Sequence, residues 1–322
     1  MKMVNSAVSG SLLLAGVSGF CAWFGPVVPT AQAAPEKVLV VTVTKGFRHS
    51  SIPTAEKILG QLAEKSGAFT VDYARVEPSD PQFKGADGKP DKEKVDAAIV
   101  AVLAEKMSPA ALKRLDAVIF ANTTGDLPLP DKQAFLDWIK SGKGFVGMHS
   151  ASDTFHPFPP YIEMLGGEFK EHHAQVEVQP RVEDHNCPAC RHLGANWKVF
   201  DEIYLFKNFE ASKVHRLLML DQHPNDKTPG EYPISWCRAY GGSASIELPG
   251  NGAALLLQKH WPRKGGRVFY TSLGHREDVW DPSWPDRKNP KEVAEAYQTH
   301  ILHGIKWALG LERWDAKPQK IQ

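Results

Sequence analysis

Three histidines, each close behind a short apolar segment, are the residues of this 322-residue chain with the clearest chemical potential. His49 ends VLVVTVTKGFRH, His149 follows GFVGM, and His275 ends RVFYTSLGH. Histidine is the side chain whose ordinary pKa lies near neutrality, so its repeated placement suggests acid–base catalysis or metal binding. Ligands of open parallel sheets bind outside the carboxyl ends of the strands. The pattern therefore predicts that one sheet edge gathers the three histidines.

His149 lies at a sequence that is typical of a sharp turn after a strand, Gly147-Met148-His149-Ser150-Ala151. In hydrolases and amidotransferases such a turn presents a nucleophile. The central residue here is neither Cys nor Ser, and Ser150 is one position out of register for that role. Asp153 is expected either to orient the His149 imidazole or to cap the following segment. The alternative for His149 is a hydrogen bond to a neighbouring loop.

Two further groups of polar residues are candidates for substrate binding. Arg48 and His49 precede an expected helix N-terminus, where donors can hold an anionic or polyhydroxyl ligand. The adjacent pair His172-His173 lies on extended chain, whose successive side chains point to opposite faces, so we favour His172 alone.

The segment FDEIY contributes a carboxylate and a phenol to the candidate site. Glu202 and Tyr204 share one face of an extended segment and are candidates for an acid and a hydrogen-bond donor, with a solvated surface as the alternative. The candidate catalytic residues are His149, Asp153, Glu202 and His275, and the candidate substrate-binding residues are Arg48, His49, Ser150, His172 and Tyr204.

A divalent metal is the other chemistry that these side chains allow. The candidate ligands are His49, His149, His172 and His275. Imidazole suits several metals, so the sequence leaves the cofactor as either none or a divalent ion.

Cys187-Pro-Ala-Cys190 lies between His185 and His192. In an oxidising compartment the two cysteines could form a small disulfide. Zinc is an alternative, although structural zinc sites usually take ligand pairs from separated parts of a chain. Free thiols are the third possibility.

Residues 1–33 have the features of a secretory signal peptide. A lysine precedes an apolar segment over residues 7–28, and Ala31-Gln32-Ala33 is a small-x-small cleavage site. A transmembrane anchor is the alternative. We expect an exported protein, periplasmic or secreted, whose residues 34–322 form a single domain without stable membrane association.

The overall charge excludes strong attraction to polyanions. The chain has 38 Lys and Arg against 37 Asp and Glu, a formal charge of +1. Without a global positive field we expect no nucleic-acid partner, and a small neutral substrate is the simpler expectation. The oligomeric state stays open.

Hydrophobic patterning predicts repeated β-α units in the first half and shorter strands in the second. Helices are expected after Ser51, over residues 131–140 and over residues 292–309. The predicted strands are residues 37–44, 69–74, 117–121, 145–148, 175–182, 216–220, 234–236, 254–258 and 267–272. Strand, helix and strand in this order favour a parallel pair.

The motifs together resemble the trehalose-utilisation, or ThuA-like, family. The matching segments are KVLVVTVTKGFRHSSI, GFVGMHSASD, LGGEFKEHH, FDEIY and GGRVFYTSLGH. The resemblance implies a class I glutamine amidotransferase-like fold, a flavodoxin-like three-layer α/β sandwich with a mostly parallel sheet and β additions in the second half. It also implies that amidotransferase activity is absent, because the elbow cysteine is missing. The family motifs include His49, His149, Asp153, His172, Glu202, Tyr204 and His275, whereas the CPAC segment and residues 241–265 depart from the pattern.

The resemblance links the chain to sugar catabolism, in particular to disaccharides oxidised to 3-keto forms. Our leading hypothesis is proton transfer on a keto-sugar or glycoside, giving isomerisation or elimination. In it His149 is the base, Asp153 orients it, and His275 or Glu202 supplies the acid. The alternatives are a metal-dependent sugar hydrolase and a non-catalytic sugar-binding protein.

Overall fold

A mixed eight-stranded sheet lies at the centre of the computed structural model, which describes residues 34–241 and 265–320 together with Met1 and Met3. The other residues of the expected signal peptide and the predicted strand at 254–258 lie outside the described residues. None of the described helices combines the length and the apolar character needed to cross a bilayer.

The strands of the described residues are short in the second half, as the sequence predicts. They are β1 Glu36–Val41, β2 Phe69–Ala74, β3 Ala117–Ala121, β4 Gly144–Met148, β5 Glu168–His172, β6 Val176–Val178, β7 Arg181–Val182, β8 Val199–Asp201, β9 Tyr204–Lys207, β10 His215–Gln222, β11 Pro229–Tyr240 and β12 Gly266–Thr271.

The order of the strands in the sheet is β2-β1-β3-β4-β12-β11-β10-β7. The first five strands are parallel to one another, and the last three are joined antiparallel. The order of the parallel part is that of flavodoxin-like folds. Two small antiparallel ladders, β5 with β9 and β6 with β8, lie outside the sheet. The predicted α/β class, with a mostly parallel sheet and β additions, is confirmed.

Seven α-helices are described, and they pack on both faces of the sheet. They are α1 Ile52–Ser66, α2 Lys92–Lys106, α3 Pro109–Leu112, α4 Lys132–Lys140, α5 Pro159–Leu165, α6 Glu277–Trp280 and α7 Lys291–Leu309. Short 3₁₀ turns occur at Pro81–Phe83, His149–Asp153 and Ala211–Lys213.

Successive side chains of the parallel strands point to opposite faces of the sheet, and this divides the core into two layers. Val38 and Val40 of β1 face the cluster that contains α1, α6 and α7. Leu39 and Val41 face the cluster that contains α2, α4 and α5. A strand that is buried on both faces is apolar at nearly every position. This is why polar and apolar residues do not alternate along β1.

Two local predictions require correction. Ser51 does not cap α1 through its side chain; its hydroxyl instead donates to the Gly274 carbonyl at 3.1 Å. The run at 175–182 is not one strand, because β6 pairs with β8 while β7 joins the main sheet beside β10.

The Cys187 and Cys190 side chains are buried free thiols, so the disulfide that the sequence left open is not formed in the structure. Contact with the Cys187 thiol, together with burial, raises the pKa of Cys190 well above its usual value. His192 is engaged elsewhere, since its Nε2 lies 2.9 Å from the Ala296 carbonyl. Among the described residues, the CPAC segment is not a metal-ligand cluster.

His300 of α7 makes folding sensitive to acid. Its side chain is buried, its Nδ1 lies 2.7 Å from the Ala189 carbonyl, and burial lowers its pKa to about 3. The unfolded chain takes up this proton near pH 6.5, so stability falls as pH decreases. Between pH 6.5 and 4.5 we expect His300 to contribute about 2 kcal/mol to that loss. Urea denaturation of His300→Gln should show a pH dependence that is weaker by this amount than that of the wild type.

Candidate active site

Loops at the carboxyl edge of the parallel strands carry the three histidines. His49 follows β1 through the segment 42–48, His149 comes directly after β4, and His275 lies four residues beyond β12. Because β1, β4 and β12 run parallel in one sheet, with only β3 between β1 and β4, their loops meet above the same edge. The imidazole ring centroids are 4.7 Å apart for His49 and His149, 5.2 Å for His49 and His275, and 5.3 Å for His149 and His275.

The backbone at His149 forms the sharp turn that the sequence predicts. Its φ is 47°, in the left-handed region that non-glycine residues seldom occupy. A Cβ at Gly147 would lie 2.9 Å from the Tyr270 ring, so only glycine fits below the turn. The Tyr270 hydroxyl donates to the His149 carbonyl at 2.6 Å and fixes the peptide.

The His149 imidazole is fully buried and oriented by a backbone carbonyl. Nδ1 lies 2.8 Å from the Ser272 carbonyl, which requires Nδ1 to carry the proton. The unprotonated Nε2 therefore points toward the cluster. Burial, with the nearby His49 and His275, lowers the pKa of His149 well below its usual value.

His49 presents a second imidazole nitrogen to the same point. Its Nε2 is 3.2 Å from His149 Nε2, and its Nδ1 is 3.3 Å from the Ser150 hydroxyl. Burial, together with His275, lowers the pKa of His49 to about 4. Both rings are therefore neutral near pH 7, which is the form that binds metals.

Glu202 supplies the carboxylate of the cluster. One of its oxygens lies 3.2 Å from His275 Nδ1 and 3.8 Å from His149 Nε2. The other oxygen lies 3.0 Å from His172 Nδ1. Burial opposes the charging of His275, but contact with Glu202 outweighs it and raises the pKa of His275. The contact is an ion pair without the alignment of a hydrogen bond, so buried His275 Nδ1 lacks a hydrogen-bond partner.

Asp201 supports the loop that carries His275. Its carboxylate accepts hydrogen bonds from the Gly274 N–H at 2.7 Å and the Arg276 N–H at 3.2 Å. Burial raises its pKa to about 6. Asp201 thus fixes the backbone on both sides of His275.

The cluster has the dimensions of a metal coordination sphere. One ligand atom from each of His49, His149, Glu202 and His275 lies within 4.8 Å of every other. For ligand atoms about 2.1 Å from a tetrahedral ion, neighbouring ligands are about 3.4 Å apart. Three imidazoles and one carboxylate form a donor set suited to zinc and to other divalent transition metals. The residues present therefore fit a divalent metal ion.

The other substrate-binding candidates lie in different environments. Tyr204 is buried with its ring centroid 4.4 Å from that of His149, and Ser150 is buried behind His49. His172 is exposed at the rim, with 44% of its side chain accessible. Arg48 is not available to a ligand at the cluster, because its guanidinium bonds the Thr42 carbonyl and Glu77.

Asp153 does not orient His149, and this part of our hypothesis is corrected. Its carboxylate lies 2.6 Å from His156 Nε2, and His156 Nδ1 lies 2.5 Å from Glu168. Although burial opposes it, contact with these two carboxylates raises the pKa of His156. Asp153 ends the 3₁₀ turn that begins at His149, its carboxylate is bonded to His156, and the Nδ1 of His149 is bonded to the Ser272 carbonyl instead.

We expect Asp153→Asn to leave the histidine cluster intact. The change removes one charged partner of His156, so the raised pKa of His156 should fall and stability should decrease by about 1 kcal/mol. The Zn²⁺ affinity should stay within about twofold of wild type. Calorimetric Zn²⁺ titration, NMR titration of His156 and urea denaturation measure the three effects; a large loss of Zn²⁺ affinity would restore Asp153 to the site.

Sequence reasoning missed the groups that position the histidines. The Ser272 carbonyl is a backbone group that every residue has, so its contact with His149 could not be predicted from residue types. Asp201 directly precedes Glu202 in the FDEIY segment, and this pair of adjacent carboxylates was the available signal. His156 follows Asp153 by three residues, which is a spacing that allows contact within a turn.

Comparisons with known proteins agree with this architecture. A sequence model of the ThuA family, described as trehalose utilisation, matches residues 37–308. A solved ThuA-like protein from Bacteroides uniformis is 17% identical with a TM-score of 0.54, and the alignment covers 87% of this chain and 95% of that one. One from Parabacteroides merdae is 16% identical with a TM-score of 0.54, covering 89% and 93%. At this identity the two structures show the fold alone.

The search of curated proteins gave no match. The family match nevertheless includes the loops of all three histidines and most of the chain. The resemblance inferred from the motifs is therefore confirmed, and the chain belongs to the ThuA, or trehalose utilisation, family.

Proposed function

We propose that this protein is a divalent-metal-dependent enzyme that acts on a keto-sugar or glycoside. The observation that carries the proposal is the convergence of three imidazoles and one carboxylate within 4.8 Å of one another. Membership of a trehalose utilisation family supports a carbohydrate as the substrate.

The protonation states of the cluster favour metal binding over metal-free base catalysis by His149. Its basic nitrogen is buried and faces His49 Nε2 at 3.2 Å, so a substrate C–H bond has no direct approach to it. A hydrogen bond between His49 Nε2 and His149 Nε2 uses the lone pair of only one nitrogen. A metal cation would accept the lone pairs of both. His149 is therefore assigned to metal binding.

A bound divalent ion would act as a Lewis acid, polarising a sugar carbonyl or lowering the pKa of a water molecule. His49, His149, His275 and Glu202 would hold it. His172 is the residue best placed to move a proton, because it lies at the exposed rim and its Nδ1 contacts Glu202 at 3.0 Å. With Nδ1 engaged, His172 Nε2 is assigned to proton exchange with the substrate. The buried Tyr204 ring beside His149 forms a wall of the site.

We also propose that the protein is exported, on the basis of the signal-peptide features of residues 1–33. A small-molecule carbohydrate in the periplasm or outside the cell is then its partner.

Metal removal and restoration test the proposed activity. The purified protein is treated with chelator, titrated calorimetrically with Zn²⁺ and Mn²⁺, and followed by proton NMR with a 3-keto-disaccharide in deuterated water. We expect one ion per chain, and turnover that is lost with chelator and restored by metal. Turnover that is insensitive to chelator would indicate metal-free acid–base catalysis, and sugar binding without turnover would indicate a binding protein.

A further inference from the structure

Phe47 is a large apolar side chain that the fold leaves in solvent next to the candidate metal centre. Its exposure is 68%, and among the described residues the other exposed large hydrophobic side chains are Met1, Met3, Val100 and Leu311. Isolated exposed apolar residues are common on protein surfaces and carry no meaning by themselves. What distinguishes Phe47 is its position, two residues before His49 on the same loop.

The loop holds Phe47 in this exposed position through a set of backbone contacts. The Thr124 hydroxyl donates to the Phe47 carbonyl at 2.8 Å and accepts from the Gly46 N–H at 3.2 Å. The Lys45 N–H donates to the Thr124 carbonyl at 2.8 Å. After Phe47, the Arg48 guanidinium donates a hydrogen bond to the Thr42 carbonyl at 3.2 Å. The exposed ring is therefore presented by a loop whose backbone is fixed at residues 45–47 and whose next side chain, Arg48, is also held.

The Phe47 ring meets His49 edge to face. The ring centroids are 4.9 Å apart and the planes are inclined at 81°. His49 in turn directs its Nε2 at the cluster. A ligand held at the cluster would therefore lie next to His49, the ring that Phe47 contacts, while much of the Phe47 ring stays open to solvent.

We propose that Phe47 is a stacking platform for the apolar C–H face of a pyranose ring whose oxygen atoms are held at the cluster. An aromatic face offers apolar contact area and a negative quadrupole to such C–H bonds. Phe47 would thus select closed sugar rings over open-chain polyols, which carry the same hydroxyl groups without a rigid apolar face. This inference rests on the proposed function, because it needs the sugar to be held at the cluster.

The test compares Phe47→Ala and Phe47→Trp with Val100→Ala, a change of an exposed apolar residue on α2. Binding of 3-keto-trehalose and of sorbitol is measured by saturation-transfer NMR and calorimetry, and Zn²⁺ binding is measured separately. We expect Phe47→Ala to weaken 3-keto-trehalose binding about tenfold, the order of one aromatic contact. Phe47→Trp should restore it to within about twofold, and Val100→Ala should behave as wild type. Sorbitol binding should be equally weak in all four proteins.

Two results would overturn the inference. Unchanged sugar binding in Phe47→Ala would exclude the platform, and a parallel loss of Zn²⁺ affinity would show that Phe47 positions His49 instead. Failure of the proposed function gives a different result from failure of this inference. The wild-type protein would then bind no Zn²⁺, while its sugar binding would still respond to Phe47→Ala.

Discussion

Replacing His149 with asparagine is expected to abolish metal binding and turnover while the protein remains folded. The change removes the buried nitrogen that faces His49 at 3.2 Å and contacts Glu202 at 3.8 Å. Because mutations of groups behind metal ligands already cost about 10- to 100-fold in affinity, loss of a ligand itself should cost more than about 100-fold. Asparagine is chosen because it tolerates the left-handed backbone that His149 adopts, whereas alanine would add strain.

Calorimetric titration with Zn²⁺ and NMR assay of a 3-keto-disaccharide measure the two losses. Urea denaturation checks the fold; we expect a stability decrease of about 1–3 kcal/mol from the lost hydrogen bond to Ser272. His173→Asn, on exposed chain beside His172, is the matched histidine control and should bind Zn²⁺ as wild type does. Wild-type Zn²⁺ affinity in His149→Asn would show that the cluster is not the metal site.

Much of the fold follows from local patterns in the sequence. The run AVIFA predicts β3 with the bounds that the structure gives, because a strand buried on both faces is apolar at every position. Gly67 ends α1 in the left-handed conformation, as expected of a glycine after a helical pattern. The separation of β6 from β7 was not predictable, since it depends on partners, β8 and β10, that lie far along the chain.

The histidine positions in the candidate site follow from strand ends, but their partners do not. Placement after parallel strands is enough to indicate that His49, His149 and His275 approach one another. The orienting group of His149 is a carbonyl of another loop, and the sequence instead favours Asp153, which is close in sequence. Arg48 next to His49 is likewise engaged by Glu77, a residue of the loop after β2. Contacts between distant loops decide these roles.

Glu202→Gln separates the charge of the carboxylate from its shape and is expected to weaken metal binding by about 100-fold or more. Glu202 contacts three histidines and raises the pKa of His275 against the opposing effect of burial. In the metal-free variant the contact with Glu202 is lost while burial and the weaker influence of Asp201 and Glu277 remain, so the pKa of His275 should fall from its raised value.

The pH dependence of metal binding follows from the negative charge of Glu202, which raises the pKa of His275. A metal must displace the proton of His275, so wild-type affinity falls as pH decreases through the raised pKa of that residue. In Glu202→Gln the residual affinity should begin to fall only at lower pH. Histidine side-chain NMR of the metal-free protein and Zn²⁺ titrations at several pH values measure both shifts.

Glu168→Gln is the matched control for Glu202→Gln, because Glu168 is a similarly buried carboxylate that contacts a histidine outside the cluster. It should lower the pKa of His156, leave that of His275 unchanged and preserve the Zn²⁺ affinity. If both variants lose Zn²⁺ affinity equally, the loss reflects general destabilisation of this region. If only Glu202→Gln loses it, together with the proton on His275, the carboxylate acts at the metal centre itself, both as a ligand and as the charge that sets its protonation.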